Sequence, residues 1–193
     1  NYSTTNWDPQ TSLVPGNEWN DIKTSLTEAY EGESSIEINF DHRSGGYINM
    51  YLSTNPNGKG VEPTSFAERD AAKDISMHNY LRFFFKQTIT YGSGPSLTVD
   101  LIETPFRNAN PVNIKDYISD WRLNEWVEVR IPLADLKAAT SDFRRIKEIW
   151  FRIQDGDSPS TATYFLDNIG FITVTPQGSS MDETRNWWIS DAN

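Results

Sequence analysis

Five runs in this chain alternate apolar and polar residues with a period of two, and that pattern limits the fold more than any other feature. They are Ser35 to Phe40, Tyr47 to Leu52, Tyr80 to Thr90, Leu97 to Leu101 and Glu148 to Gln154. A period of two places successive side chains on opposite faces of a strand, so each run has one face for a core and one for its surroundings. Breakers punctuate the runs: Asp8-Pro9, Pro15-Gly16, Ser44-Gly45-Gly46 and Asn55-Pro56-Asn57-Gly58. Short strands joined by turns, with little helical periodicity, predict an all-β fold, an antiparallel β-sandwich or jelly roll with one or two short helices in loops. Ser65 to Glu68 and Leu133 to Ala139 are the segments expected to form those helices. Ser35–Phe40 and Tyr47–Leu52 are expected to pair as a hairpin across the glycine turn.

At 193 residues the chain fits one domain. The sandwich is expected over residues 1–175, and Pro176, Gly178 and Ser179-Ser180 mark 176–193 as a linker or tail ending in Trp187-Trp188. With 27 acidic against 17 basic residues the net charge is −10, which disfavours nucleic acid and anionic membranes as partners. There is no cysteine, so disulfides and thiolate metal sites are excluded. No apolar stretch is long enough to insert in a bilayer as a helix. The chain begins at Asn1 rather than Met, so it is expected to be part of a larger protein. Aromatics make up 13% of the residues, more than a core of this size needs, and some are expected on the surface.

Two motifs carry a family resemblance. Residues 126–136 read W-x-x-V-x-I-P-L-x-x-L, and Tyr164 to Phe171 read Y-F-L-D-N-I-G-F. Together with Y-x-G-x-x-S-I-x-I from Tyr30 to Ile38, they resemble the β-sandwich carbohydrate-binding modules of families 11, 4 and 22. The resemblance implies a non-catalytic module that binds a polysaccharide chain, such as a β-glucan or another plant or algal glycan, on a concave sheet. It also implies a secreted or surface-anchored bacterial protein, monomeric and tethered to other domains, and often a structural calcium ion. In such modules the aspartate of the final strand helps hold calcium and a carbonyl of the first strand joins it, which points to Asp167 and Glu33. The third acid would come from the arm near Glu18.

A sugar ring offers an apolar face and a rim of hydroxyls, so its platform needs flat aromatics beside planar polar groups. If Ile149, Phe151 and Ile153 face the core, then Glu148, Trp150, Arg152 and Gln154 form an outward row of that composition. The same parity offers Arg82 and Phe84 on one run and Tyr47 and Tyr51 on another. Tyr117 and Trp121 lie in an irregular stretch placed to complete one end. The alternatives are a protein-docking domain of the same fold, because W-x-x-V-x-I-P-L also occurs in a mitochondrial complex I assembly factor family, or a jelly-roll hydrolase or lyase. A glycosidase requires two carboxyls across a groove, which Glu128 and Glu148 supply only if their strands are neighbours. A lyase base would fall to His42 or His78, both expected on the surface, and no catalytic residue is assigned.

Overall fold

The computed structural model describes residues 7–8, 21–41, 47–53, 72–88, 97–103, 107–108, 110–154, 161–177 and 180–187. Twelve strands are found among them: β1 (Trp7–Asp8), β2 (Asp21–Ser25), β3 (Ser35–Asp41), β4 (Tyr47–Ser53), β5 (Tyr80–Thr88), β6 (Leu97–Glu103), β7 (Arg107–Asn108), β8 (Val112–Asn113), β9 (Val127–Pro132), β10 (Ile146–Gln154), β11 (Thr161–Gln177) and β12 (Ser180–Trp187). They form two antiparallel sheets of six strands each. Sheet A runs β1-β4-β10-β6-β7, with β8 also pairing β6; sheet B runs β2-β3-β11-β5-β9, with β12 also pairing β11.

From β3 to β6 each strand lies in the opposite sheet from the one before it, and β9, β10 and β11 alternate likewise. The expected hairpin therefore does not form: β3 pairs β2 and β11 in sheet B, whereas β4 pairs β1 and β10 in sheet A. Both strands have an apolar stripe, and crossing between layers buries both stripes against each other as well as a hairpin would.

The core is the layer between the sheets. β3 contributes Ile36, Ile38 and Phe40; β5 contributes Leu81, Phe83 and Phe85; β6 contributes Leu97, Val99 and Leu101. Each buried side chain of this size stabilises the fold by roughly 1.5–3 kcal/mol. Phe83 of sheet B meets Phe151 of sheet A edge to face, with ring centroids 5.3 Å apart.

Two bulges reset the alternation. On β11 the core positions run Ala162, Tyr164, Leu166 and then Ile169, Phe171, a step of three instead of two. The register against β5 shifts between Asp167 and Gly170, and Asn168 has a φ of 48°. Asparagine tolerates that left-handed backbone better than most residues, so the D-N-I-G sequence encodes a bulge. On β10 the core step from Ile146 to Ile149 skips Lys147, where the register against β6 also shifts.

Among the described residues the helical content is one 3-10 turn at Ile114–Tyr117, capped by the Asn113 side chain, which accepts from the Lys115 N–H at 3.0 Å. Leu133 to Leu136 form consecutive turns instead of the expected helix, and Ser65 to Glu68 lie outside the described residues. The tail expected after residue 175 is in part a strand: Met181 to Trp187 pair antiparallel with Gly170 to Pro176, extending sheet B. Trp187 stands opposite Gly170, and Trp188 lies outside the described residues.

Candidate functional site

The central strand of sheet A brings the predicted outward row together. Ile149, Phe151 and Ile153 are buried in the core, so Glu148, Trp150, Arg152 and Gln154 occupy the other parity of β10. The register then sets three rows across the strands. Tyr51, Trp150 and Asp100 are opposite one another; Asn49, Arg152 and Thr98 form the next row; Tyr47 stands opposite Gln154. Rows on one face are about 7 Å apart along a strand and neighbouring strands about 5 Å apart, so these register positions form adjacent rows on one strip of sheet A.

Hydrogen bonds hold this strip in place. The Trp150 Nε1–H donates to Glu148 Oε2 at 2.6 Å, which fixes the indole ring against its own strand. Glu148 is itself 0% exposed, with its Oε1 3.7 Å from Lys147 Nζ. Its predicted part as a direct contact is corrected: a carboxylate without accessible surface orients Trp150 from beneath. Trp150 and Arg152 retain partial exposure.

Asp100 was missed by the sequence reading, although the alternation of β6 contained the signal. Leu97, Val99 and Leu101 face the core, so Thr98 and Asp100 share the face of Trp150 by the same parity rule. Burial pushes the Asp100 carboxyl up to about 6, against the opposing pull of the Leu101 N–H at 2.8 Å and the positive charge of Arg152.

The other predicted contacts lie elsewhere. Arg82 and Phe84 are on β5 in sheet B, on that sheet's outer face, and the molecule covers them itself. Tyr30 stacks on Phe84 with ring planes 11° apart, Trp126 meets Tyr30 edge-on at 6.1 Å, and Phe165 lies 6.3 Å from Trp126. Phe84 is left 5% exposed. Arg82 is buried and ion-paired with Glu128, which also takes Arg130 at 3.0 Å. Burial alone would raise the Glu128 carboxyl, but Arg130 and Arg82 outweigh it and hold it below the ordinary carboxylate range. Lys86 pairs with Glu28 at 2.7 Å. Neither residue belongs to the sheet A strip.

Tyr117 and Trp121 are partly buried and pack against the core rather than on the strip. The Tyr117 hydroxyl donates to Asp135 at 3.1 Å; burial and that carboxylate push its pKa up to about 12. Glu128 and Glu148, the carboxylates weighed as a hydrolytic pair, belong to strands in different sheets, which removes that arrangement. His78 shares a 3.1 Å hydrogen bond with Thr173 of sheet B and stacks near Phe171, so it is not on the strip; His42 is outside the described residues.

The expected calcium position also has other partners. Asp167 is 2% exposed; its Oδ2 accepts the Tyr30 and Glu31 N–H groups at 2.7 and 3.1 Å, and its Oδ1 accepts the Asn168 N–H at 2.7 Å. Three backbone N–H groups thus converge on the two oxygens of this carboxylate. Through these bonds the carboxylate clamps the 30–31 turn to the β11 bulge. Glu33 is exposed on the bend before β3. The acid expected near Glu18 lies outside the described residues.

No family model matches the chain, and no curated protein matches it in sequence. Solved structures do match in fold. A β-1,2-glucanase from Parabacteroides distasonis superposes with a TM-score of 0.60 at 18% identity, over 82% of this chain but only 22% of the glucanase. A family 30 carbohydrate-binding module gives 0.57 at 16%, covering 82% of this chain and 77% of the module. The family 11 module from Clostridium thermocellum, solved with a β-1,3-1,4-mixed-linked tetrasaccharide, gives 0.52 at 16%, covering 88% and 90%. The chain thus spans about a fifth of the glucanase but most of each module, and it has the two-layer antiparallel sandwich fold of β-sandwich carbohydrate-binding modules.

Proposed function

We propose that this chain is a non-catalytic module that binds a polysaccharide chain across the outer face of sheet A. The observation that carries the reading is the register, which places Tyr51, Trp150 and Asp100 in one row, Asn49, Arg152 and Thr98 in the next, and Tyr47 beside Gln154. The Trp150 ring, anchored by Glu148, supplies a flat surface for the C–H face of a sugar. Arg152 donates to ring hydroxyls and Asp100 accepts from them. Binding then needs no covalent step, and the described residues place no carboxylate pair across an open groove on this face.

A β-glucan or related plant or algal glycan is the ligand class favoured, supported by the β-linked tetrasaccharide bound to the similar family 11 module. The acidic charge of the whole chain weighs against strongly anionic polymers. Similarity to about a fifth of a much longer glucanase is in keeping with a module tethered within a larger protein, and the setting proposed is a secreted or surface-anchored bacterial protein in which the module acts as a monomer.

Affinity electrophoresis against neutral and uronic-acid polysaccharides, run beside a reducing-sugar assay, tests the proposal. Retardation by a neutral β-glucan without product release is the expected result. Product release would make the chain a hydrolase, and no retardation by any polymer would shift the reading to protein docking.

A further inference from the structure

Asp100 stands on the sheet A strip in a setting short of hydrogen-bond donors. It is 8% exposed, and its Oδ1 accepts the Leu101 N–H at 2.8 Å. Its Oδ2 has no hydrogen-bond partner among the described residues. The donors beside it are engaged elsewhere. Opposite on β10, the Trp150 Nε1–H goes to Glu148 Oε2. Two residues back on β6, the Thr98 hydroxyl goes to the Arg152 carbonyl at 3.3 Å. Two residues on, Ile102 is apolar and 1% exposed. The charged or titratable positions packed round Asp100 are Glu148 and Arg152 on β10, Tyr51 beyond them on β4, Arg107 on β7 and Lys115 after β8. Arg152, one row away, acts on Asp100 through its positive charge.

A carboxylate oxygen buried without a donor is costly until something supplies one. Residues directly opposite on paired strands have Cβ atoms about 5 Å apart, so a rim hydroxyl of a sugar stacked on Trp150 comes within reach of Asp100. A hydrogen bond to an ionised carboxylate is roughly twice as strong as a neutral one. A sugar carboxylate in the same place brings no proton and sets a second negative charge beside a buried one. Cations that would offset it are paired on sheet B, Arg82 and Arg130 with Glu128 and Lys86 with Glu28. We infer that Asp100 sets the charge specificity of the strip: ionised, it accepts a hydroxyl of a neutral sugar on Trp150 and excludes a uronic-acid sugar from that position. The inference rests on the glycan reading and adds to it the class of sugar accepted.

Opposite pH trends for the two sugar classes follow. Burial holds the free Asp100 carboxyl up at about 6. Hydroxyl donation favours the ionised form, so binding a neutral sugar lowers that value and releases a proton. Neutral affinity is therefore full above about pH 6 and falls as the pH drops through it. A uronic sugar gains on the same path, because protonation of Asp100 removes the repulsion.

The test titrates the whole chain by isothermal calorimetry with a β-glucan oligosaccharide and with the same oligosaccharide after oxidation of its primary hydroxyls to carboxylates. Wild type and Asp100→Asn are each run at about pH 7.5 and about pH 4.5, with melting curves to show that both are folded. At the higher pH the wild type is expected to prefer the neutral ligand by about tenfold or more, the equivalent of one pKa unit. That preference should shrink at the lower pH. Asp100→Asn should show the smaller preference at both pH values. The inference alone is overturned if the wild type binds the neutral ligand with a preference that neither acidification nor Asp100→Asn changes. Binding of neither ligand at either pH overturns the glycan reading and this inference with it.

Discussion

The outer faces of the two sheets are built from the same kinds of residue and differ in how exposed those residues are. On sheet B, Phe84, Phe165, Arg82 and Lys86 satisfy one another and their neighbours: Tyr30 stacks on Phe84, Glu128 takes Arg82 and Arg130, and Glu28 takes Lys86. On sheet A, Trp150 and Arg152 keep partial exposure in rows set by β4 and β6. Aromatic and cationic residues on the outward parity of a strand therefore do not by themselves mark a binding surface. On sheet B the chain covers such residues itself, through Glu28, Tyr30 and Trp126.

That contrast breaks down in measurable ways if it is wrong. The largest effect should follow Glu148→Ala, which removes the acceptor for Trp150 and leaves Lys147 buried beside a cavity. A loss of about 3 kcal/mol in urea unfolding is expected, together with weaker glycan retardation. Next, Glu128→Ala should cost about 2 kcal/mol by stripping the buried Arg82 of an ion-pair partner, while glycan affinity stays within twofold of wild type. A fall in affinity would move the site to sheet B.

Asp100→Asn tests the burial of the strip. Its folded pKa is raised, so the native state binds more protons than the unfolded chain between the two pKa values. The stability Asp100 contributes is present below about pH 4 and lost as pH rises through about 6. The asparagine variant should therefore be more stable than wild type by roughly 1–2 kcal/mol at pH 7, with the gap closing below pH 4. Thermal melts across that range read it directly. Smallest of these, Tyr30→Ala should cost about 1 kcal/mol by uncovering Phe84, again without changing glycan affinity.

The sequence made the fold legible because the core stripes are regular. Ile149, Phe151 and Ile153 on β10 and Leu81, Phe83 and Phe85 on β5 carry a clean period of two, and parity alone found the outward rows. Sheet membership stayed hidden, since β3 and β4 have similar stripes whether they pair with each other or cross between layers. For the same reason parity offered Arg82 and Phe84 on equal terms with Trp150. The cover over Phe84 comes from Tyr30, more than fifty residues away, and no local pattern reports such a contact. Asp100 was readable in principle, but a lone aspartate on the polar side of a strand attracts no notice until the register puts it beside Trp150. Asp167 lies in a motif whose backbone encodes a bulge and a turn clamp.

The most direct test of the account is a paired titration of a β-glucan oligosaccharide into Trp150→Ala and Tyr30→Ala by isothermal calorimetry, with melting curves for each. Trp150→Ala should lose at least about tenfold in affinity, roughly 1.4 kcal/mol, while staying folded at a lowered Tm because the buried Glu148 loses its Nε1–H donor, and Tyr30→Ala binds as wild type. Full affinity in Trp150→Ala, or loss of binding in Tyr30→Ala alone, would contradict the assignment of the site to sheet A.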